Sequence, residues 1–339
     1  MCIRDRLKCK HYLVTGGAGF IGAPLARRLL AEGCTVRVLA RATSASLERL
    51  SDIADSLEII EGDVRDATLV DSAVKGVDGV IHMAAITATH KFYEMPGEVL
   101  DIGVRGMVNV LDACIKHCIR ELVFVSSSEA YQTPLRVPTD ETEPLKVPEV
   151  SNPRYAYGGS KIISELMAIN YGRSLIERVL VCRPHNVYGP NMGWSHVLPQ
   201  FILRMKRLVD EAEAAGDEGP IRFPIMGSGE ETRAFEYIDD YIDGMIVMIE
   251  KGEHGNVYNI GNDEETAIAV VARTVGAYFD RNIEIEPSAP PAGSTNRRSP
   301  DISKLVALGY KPRVPFSAGM PKMIDWYLAS TDKAPEEND

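Results

Sequence analysis

The sequence has little that would place it in a membrane, on nucleic acid or around a metal. No apolar stretch approaches the ~18 residues of a spanning helix, and the opening MCIRDRLKCK lacks the hydrophobic run of a secretory signal. The expected location is therefore cytoplasmic, with no membrane partner. Positive charge is also short. Against 48 Asp and Glu stand 37 Lys and Arg, a formal charge of -11, which argues against general affinity for nucleic acid or anionic lipid. Six cysteines (Cys2, Cys9, Cys34, Cys114, Cys118, Cys182) are scattered without metal-ligand pairing, so the expectation is buried reduced thiols and no metal site. No internal repeat is present. Residues 1–9 are set outside the fold as a non-native or disordered leader, and the polar, acidic residues 331–339 as a disordered tail.

What is present is a long alternation. From His11 onward short apolar runs (HYLVT, TVRVLA, LEIIEGD, GVIHMAA, ELVFVSSS) are separated by amphipathic stretches, among them the Ile21, Leu25, Leu29 stripe and a long helix over Gly97 to Ile115. Short buried strands separated by helices specify an α/β fold with a doubly wound parallel sheet, the Rossmann arrangement. At 339 residues the chain exceeds the usual size of one core. The expected division is a cofactor-binding domain over 10–185, rejoined by about 236–261, and a smaller substrate-binding domain from 186–235 and 262–330. The proline-rich and acidic stretch from Gln132 to Arg154 reads as a surface loop leading to a helix near Tyr155, and VDEAEAAGDEGP as an acidic insertion.

The T-G-G-A-G-F-I-G run sets Gly16, Gly19 and Gly22, with Phe20 and Ile21, between a strand and a helix. The chain can turn tightly there and point bare N–H groups at a pyrophosphate on the helix N-terminus. Strand, helix and second strand supply the context that such a motif needs. An acid at the end of the second strand would accept from the adenosine ribose of NAD, but Ala40 stands there and Arg41 follows, a residue that suits the 2′-phosphate of NADP. NAD is the expected cofactor and NADP stays open. Asp63 and Val64 end the third strand, where a carboxylate can reach the adenine amine.

Tyr157 and Lys161, four apart in Y-G-G-S-K, share one helix face. A phenol titrates near ~10, so a tyrosine base at neutral pH needs a neighbouring positive charge, which Lys161 and the cofactor are expected to supply. Together with V-S-S-S-E-A-Y, HMAA at His82 to Ala85, R-P-H-N-V-Y-G-P, G-S-G-E-E-T-R-A-F, Y-N-I-G and R-R-S-P-D-I-S-K, this pattern resembles the extended short-chain dehydrogenase/reductase family over about Lys10 to Leu328, especially its nucleotide-sugar epimerases, dehydratases and decarboxylases. The resemblance implies a nucleotide-diphosphate sugar as substrate, Ser127 hydrogen-bonding the hydroxyl under oxidation, Tyr157 as base, and Lys161 as electrostatic partner and ribose ligand. It places Ala84 and Ala85 at the cofactor, Asn186 at the phosphate region, and Arg233 and Arg298 as the diphosphate clamp. It also implies a homodimer through paired helices. Gly103 stands where many relatives carry Asn, and Gln132 where glycine often follows the tyrosine at 131.

The shared first step leaves a 4-keto sugar. A 4-epimerase needs no further acid or base, whereas a 4,6-dehydratase needs both, commonly a neighbouring Asp and Glu. Here that pair is Ser128 and Glu129. The reading is a 4-epimerase; Glu129 keeps a decarboxylase or dehydratase as the alternative, and a non-catalytic cofactor-binding protein is the rival outside enzymes. A loop histidine, His196, is expected to serve structure rather than substrate.

Overall fold

The computed structural model describes Leu7, residues 10–41, Thr43, and residues 47–289 and 295–334. Six strands arise from apolar runs between residues 11 and 184: β1 (His11–Thr15), β2 (Thr35–Ala40), β3 (Leu57–Glu61), β4 (Gly79–His82), β5 (Glu121–Val125) and β6 (Arg178–Pro184). They join Asn256–Ile260 in one seven-stranded sheet, ordered Asn256–Ile260, β6, β5, β4, β1, β2, β3. Every pairing in it is parallel. β4 and β5 are buried along their whole length, as a sheet covered on both faces requires. This is the doubly wound fold that the alternation specifies. The chain reverses direction across the sheet between β1 and β4, and a crevice opens at the carboxyl ends of those two strands.

Several elements differ from the sequence reading. The expected single helix over Gly97 to Ile115 is Pro96–Leu100, a π turn over Asp101–Arg105, and Gly106–Lys116. The acidic insertion is in part helical. Val197–Ala215 runs through VDEAEAA and stops at Gly216, whose φ of 68° is the left-handed cap that ends it. Alanine and glutamate are good helix formers, and the apolar stripe of Leu198, Ile202, Met205 and Val209 carries the helix onto the core. Leu7 is 2 % exposed and packs in the core, its carbonyl accepting from Cys34 Sγ at 3.2 Å, so this residue of the presumed leader belongs to the fold. The rest of that stretch lies outside the described residues, as do residues 335–339 of the presumed tail. Thr331–Lys333 form a short turn held by Lys333 to Glu48 at 2.6 Å. Cys34, Cys114 and Cys182 are buried thiols, while Cys118 is exposed.

A small three-stranded sheet bears on function. Thr232–Ala234 lies between Glu265–Ala267 and Arg297–Arg298, with Arg298 directly opposite Arg233. No helix among the described residues is long and apolar enough to cross a membrane.

Candidate active site

The glycine loop follows β1 and turns into the helix Gly22–Ala31. Gly16 has φ of 72° and packs so close to the next strand's end that a Cβ would sit 3.0 Å from Ala84 Cα. At Gly22 a Cβ would meet Gly16 O at 2.4 Å, so no side chain fits. Sterics thus explain these two glycines without reference to any ligand, and what they leave is a concave run of backbone at a helix N-terminus. A cleft of about 600 Å³ opens above it, lined by Gly16, Gly19, Phe20, Ile21, Gly22, Arg41, Asp63, Val64, Ala84, Ala85, Tyr157 and Lys161. Every residue assigned to the cofactor from sequence therefore faces one cavity.

Two of them are more committed than the sequence suggests. Asp63 accepts from its own neighbour, Arg65, through N, Nε and Nη2 at 2.9, 2.9 and 2.7 Å, and that guanidinium holds its carboxyl below the usual range. Lys161 donates to Val125 O at 2.8 Å, at the end of β5. Its ammonium lies 5.0 Å from the Phe124 ring centre and 5.6 Å from that of Tyr157, and burial lowers it to about 8.

Tyr157 is stacked on Phe92 with ring centres 4.9 Å apart. Burial pushes the phenol up to about 12, against a lowering hydrogen bond with Ser127. For the chain without its cofactor, burial outweighs what the Ser127 hydrogen bond returns.

The remaining predicted residues gather beside the cleft. Ser127 caps the turn Ser128–Ala130, its Oγ accepting from Glu129 N at 3.1 Å. Glu129 lies between two cations: Arg298 Nη1 is 2.5 Å from Oε1 and Arg154 Nη2 is 3.8 Å from Oε2. Burial would raise its carboxyl, but Arg298, Arg154 and Arg233 more than offset that and hold it below the ordinary range. Arg298 thus pairs with Glu129 and not with the nearby Asp301 that its sequence neighbourhood offers. Arg233 donates to Thr232 O and Thr295 O, each at 2.7 Å. Asn186, at φ of 43°, donates to Ala234 O at 3.1 Å and so sits against the arginine-bearing strand.

Sequence reasoning gave no role to Arg154, which stands two residues after Asn152, the residue that opens the turn and accepts from Arg154 N; an arginine just before a catalytic helix was the available signal. It also missed Phe92 and Lys91, from the helix Thr89–Glu94, which reach Tyr157 and the cleft. His196 lines the cleft, and burial lowers the pKa of its imidazole. The acidic insertion, residues 209–220, is not part of its wall.

A glycine loop on a parallel sheet, a Ser–Tyr–Lys group at the mouth of its cleft and a cluster of arginines agree with what known proteins show. The sequence profile of the NAD dependent epimerase/dehydratase family matches residues 12–261. The chain is 31% identical to a dTDP-glucose 4,6-dehydratase of Streptomyces antibioticus over 94% of its own length and 92% of the relative's. It is 28% identical to UDP-glucuronic acid decarboxylase 1 of Arabidopsis thaliana, over 95% of this chain and 70% of that one. Among solved structures, a dTDP-glucose 4,6-dehydratase of Streptomyces venezuelae with NAD bound superposes with a TM-score of 0.82 at 27% identity, covering 95% of this chain and 98% of that one. UDP-glucose 4-epimerase of Thermotoga maritima, solved with UDP-glucose, gives 0.81 at 25%, covering 95% and 99%.

Proposed function

The chain belongs to the NAD dependent epimerase/dehydratase family and is a NAD-dependent enzyme, and on that premise we propose that it is a nucleotide-sugar 4-epimerase. The glycine loop, with Phe20, Ile21, Ala84 and Ala85, holds the dinucleotide; bound NAD supplies a hydride acceptor. Ser127 and Tyr157 take the sugar hydroxyl between them, and Tyr157 removes its proton. Lys161 orients the cofactor's ribose and carries positive charge to the phenol's side of the site. Because burial raises the phenol to about 12, Lys161 has to favour the phenolate together with the positive charge that oxidised NAD would bring. Asn186, Arg233 and Arg298 receive the diphosphate, and bidentate guanidinium geometry suits phosphate oxygens.

The observation that carries the epimerase over the dehydratase is Ser128 beside Glu129. Elimination of water from a 4-keto sugar needs a base and an acid beyond the oxidising group. The residues available are Ser128, a buried hydroxyl, and Glu129, a single carboxyl that cannot be acid and base in the same step. Rotation of the ketone and return of hydride to its other face need neither. A second reading has its own support: Arg154 and Arg298 converge on one carboxylate, and the same pair suits the carboxylate of a nucleotide-linked uronic acid, as decarboxylation requires. Incubating the NAD-loaded enzyme with UDP-, GDP-, CDP- and dTDP-sugars and weighing the products separates the outcomes. Unchanged mass with inverted C4 is expected; loss of carbon dioxide selects the second reading, and loss of water overturns both.

We also propose a homodimer through the helix Ala156–Leu175, whose outer side exposes Ile163, Leu166, Tyr171 and Leu175, an apolar surface of the kind that self-association covers.

A further inference from the structure

The arginine cluster has a charge imbalance that the oxidation step does not use. Arg233 and Arg298 stand opposite each other across a parallel strand pair, where like charges repel. Burial first, then Arg298, lowers Arg233 to about 10. Arg154 comes to the same spot from the turn Pro153–Tyr155 that precedes the catalytic helix. The Nε atoms of Arg154 and Arg298 are buried and have no hydrogen-bond partner. Glu129 faces all three cations, and Glu231 acts on Arg233 as well. The group keeps a net positive charge, opposite in sign to the charge on a nucleotide-sugar diphosphate.

Resting on the nucleotide-sugar reading above, we propose that Glu129 is an internal anion seated on Arg298 in the free enzyme, and that the substrate's diphosphate takes this guanidinium and displaces it. The groups that face Glu129 are Arg298 from the small sheet, Arg233 from the strand beside it, Arg154 from the turn before the catalytic helix, and the neutral phenol of Tyr157 on that helix. Losing Arg298 to a diphosphate removes the nearest cation and brings two negative charges alongside. Burial, already the largest influence on this carboxyl, then prevails, and the carboxyl takes up a proton. Substrate binding and protonation of Glu129 are thereby linked, whichever step follows oxidation.

The test uses NAD-loaded full-length protein carrying Tyr157→Phe, so that UDP-glucose and dTDP-glucose bind without turnover; their doubly esterified diphosphates do not titrate in the neutral range. Calorimetry in two buffers of different ionisation heat is expected to show uptake of up to about one proton per nucleotide sugar. Affinity should tighten by up to about tenfold for each pH unit lowered through the window of uptake. Adding Glu129→Gln should remove the uptake and flatten the pH dependence. Arg298→Gln, which removes the guanidinium that the diphosphate would take from Glu129, should also bind without uptake, more weakly, and keeps the test open if the Glu129 variant fails to fold. Binding of either sugar nucleotide without proton uptake overturns the displacement while the nucleotide-sugar reading stands. Failure of UDP-, GDP-, CDP- and dTDP-sugars alike to bind overturns that reading, and the displacement with it.

Discussion

At the scale of single residues the site turns on how two buried groups titrate. Tyr157 is a phenol raised to about 12 by burial, and Lys161 an ammonium lowered to about 8 by the same cause. The base works as phenolate, so kcat/KM is expected to climb as pH rises from acid toward neutrality. The climb should break near 8, where Lys161 loses its charge and its contribution to the phenolate. Lys161→Met should remove that break as well as lowering the rate, and a pH–rate profile of the two proteins decides it; a break that persists in Lys161→Met counts against this assignment. Tyr157→Phe should cut turnover by about 10² to 10⁴-fold while a fluorescence titration still shows NAD binding. Gln132 gives a smaller lesson. The sequence marked it as standing in a glycine's place, and its φ of 54° shows why glycine is favoured there. A hydrogen bond from Nε2 to Glu129 O at 2.6 Å partly offsets the strain and braces the turn that carries Glu129.

The elements around the catalytic helix depend on close approach. At Gly103, inside the π turn Asp101–Arg105, an added Cβ would lie 2.6 Å from Ser160 Oγ, and Ser164 Oγ donates to the Gly103 carbonyl at 3.1 Å. The asparagine that many relatives carry does not fit here unless the two helices separate. Gly103→Asn should therefore destabilise the fold by about 1–3 kcal/mol, seen as a lowered Tm, and an unchanged Tm would show that the helices adjust freely. The outer side of the same catalytic helix serves association. Leu166 is 56% exposed, and Leu166→Glu should turn a dimer into a monomer in light scattering at micromolar concentration; a wild-type protein that is already monomeric removes the proposed dimer. Periodicity reveals that Ala156–Leu175 is a helix. It does not reveal the π turn, because an extra residue in a helical turn is set by the neighbour against which it packs.

At the scale of the molecule, the second half of the chain is fastened to the sheet through polar groups as well as apolar ones. Glu236, fully buried, accepts from Tyr310, and burial raises it to about 8. A carboxyl whose folded pKa lies above its unfolded value holds its proton more tightly when folded. Its contribution to stability is full below the ordinary carboxylate range and is lost as pH rises through about 8. Wild-type Tm should therefore fall as pH rises from the ordinary carboxylate range to about 8 and level off above it, and Glu236→Gln should flatten that fall; equal slopes for both proteins would exclude Glu236 as its source. The parallel sheet, its glycine loop and the cofactor cleft were all legible in the linear chain, because strand periodicity, a tight turn and a helix start are local properties of consecutive residues. The Tyr157 and Lys161 pairing was legible for the same reason, being one helical turn. The state of those groups was not. Burial, which sets their pKa values, comes from Phe92 and from β5, and no window of sequence contains both. The arginine cluster is the clearest division between the two. Arg233 and Arg298 were named from motifs, but their pairing across one strand ladder, the arrival of Arg154, and the capture of Glu129 between them depend on strand register and on a turn distant in the chain, which only the folded molecule brings together.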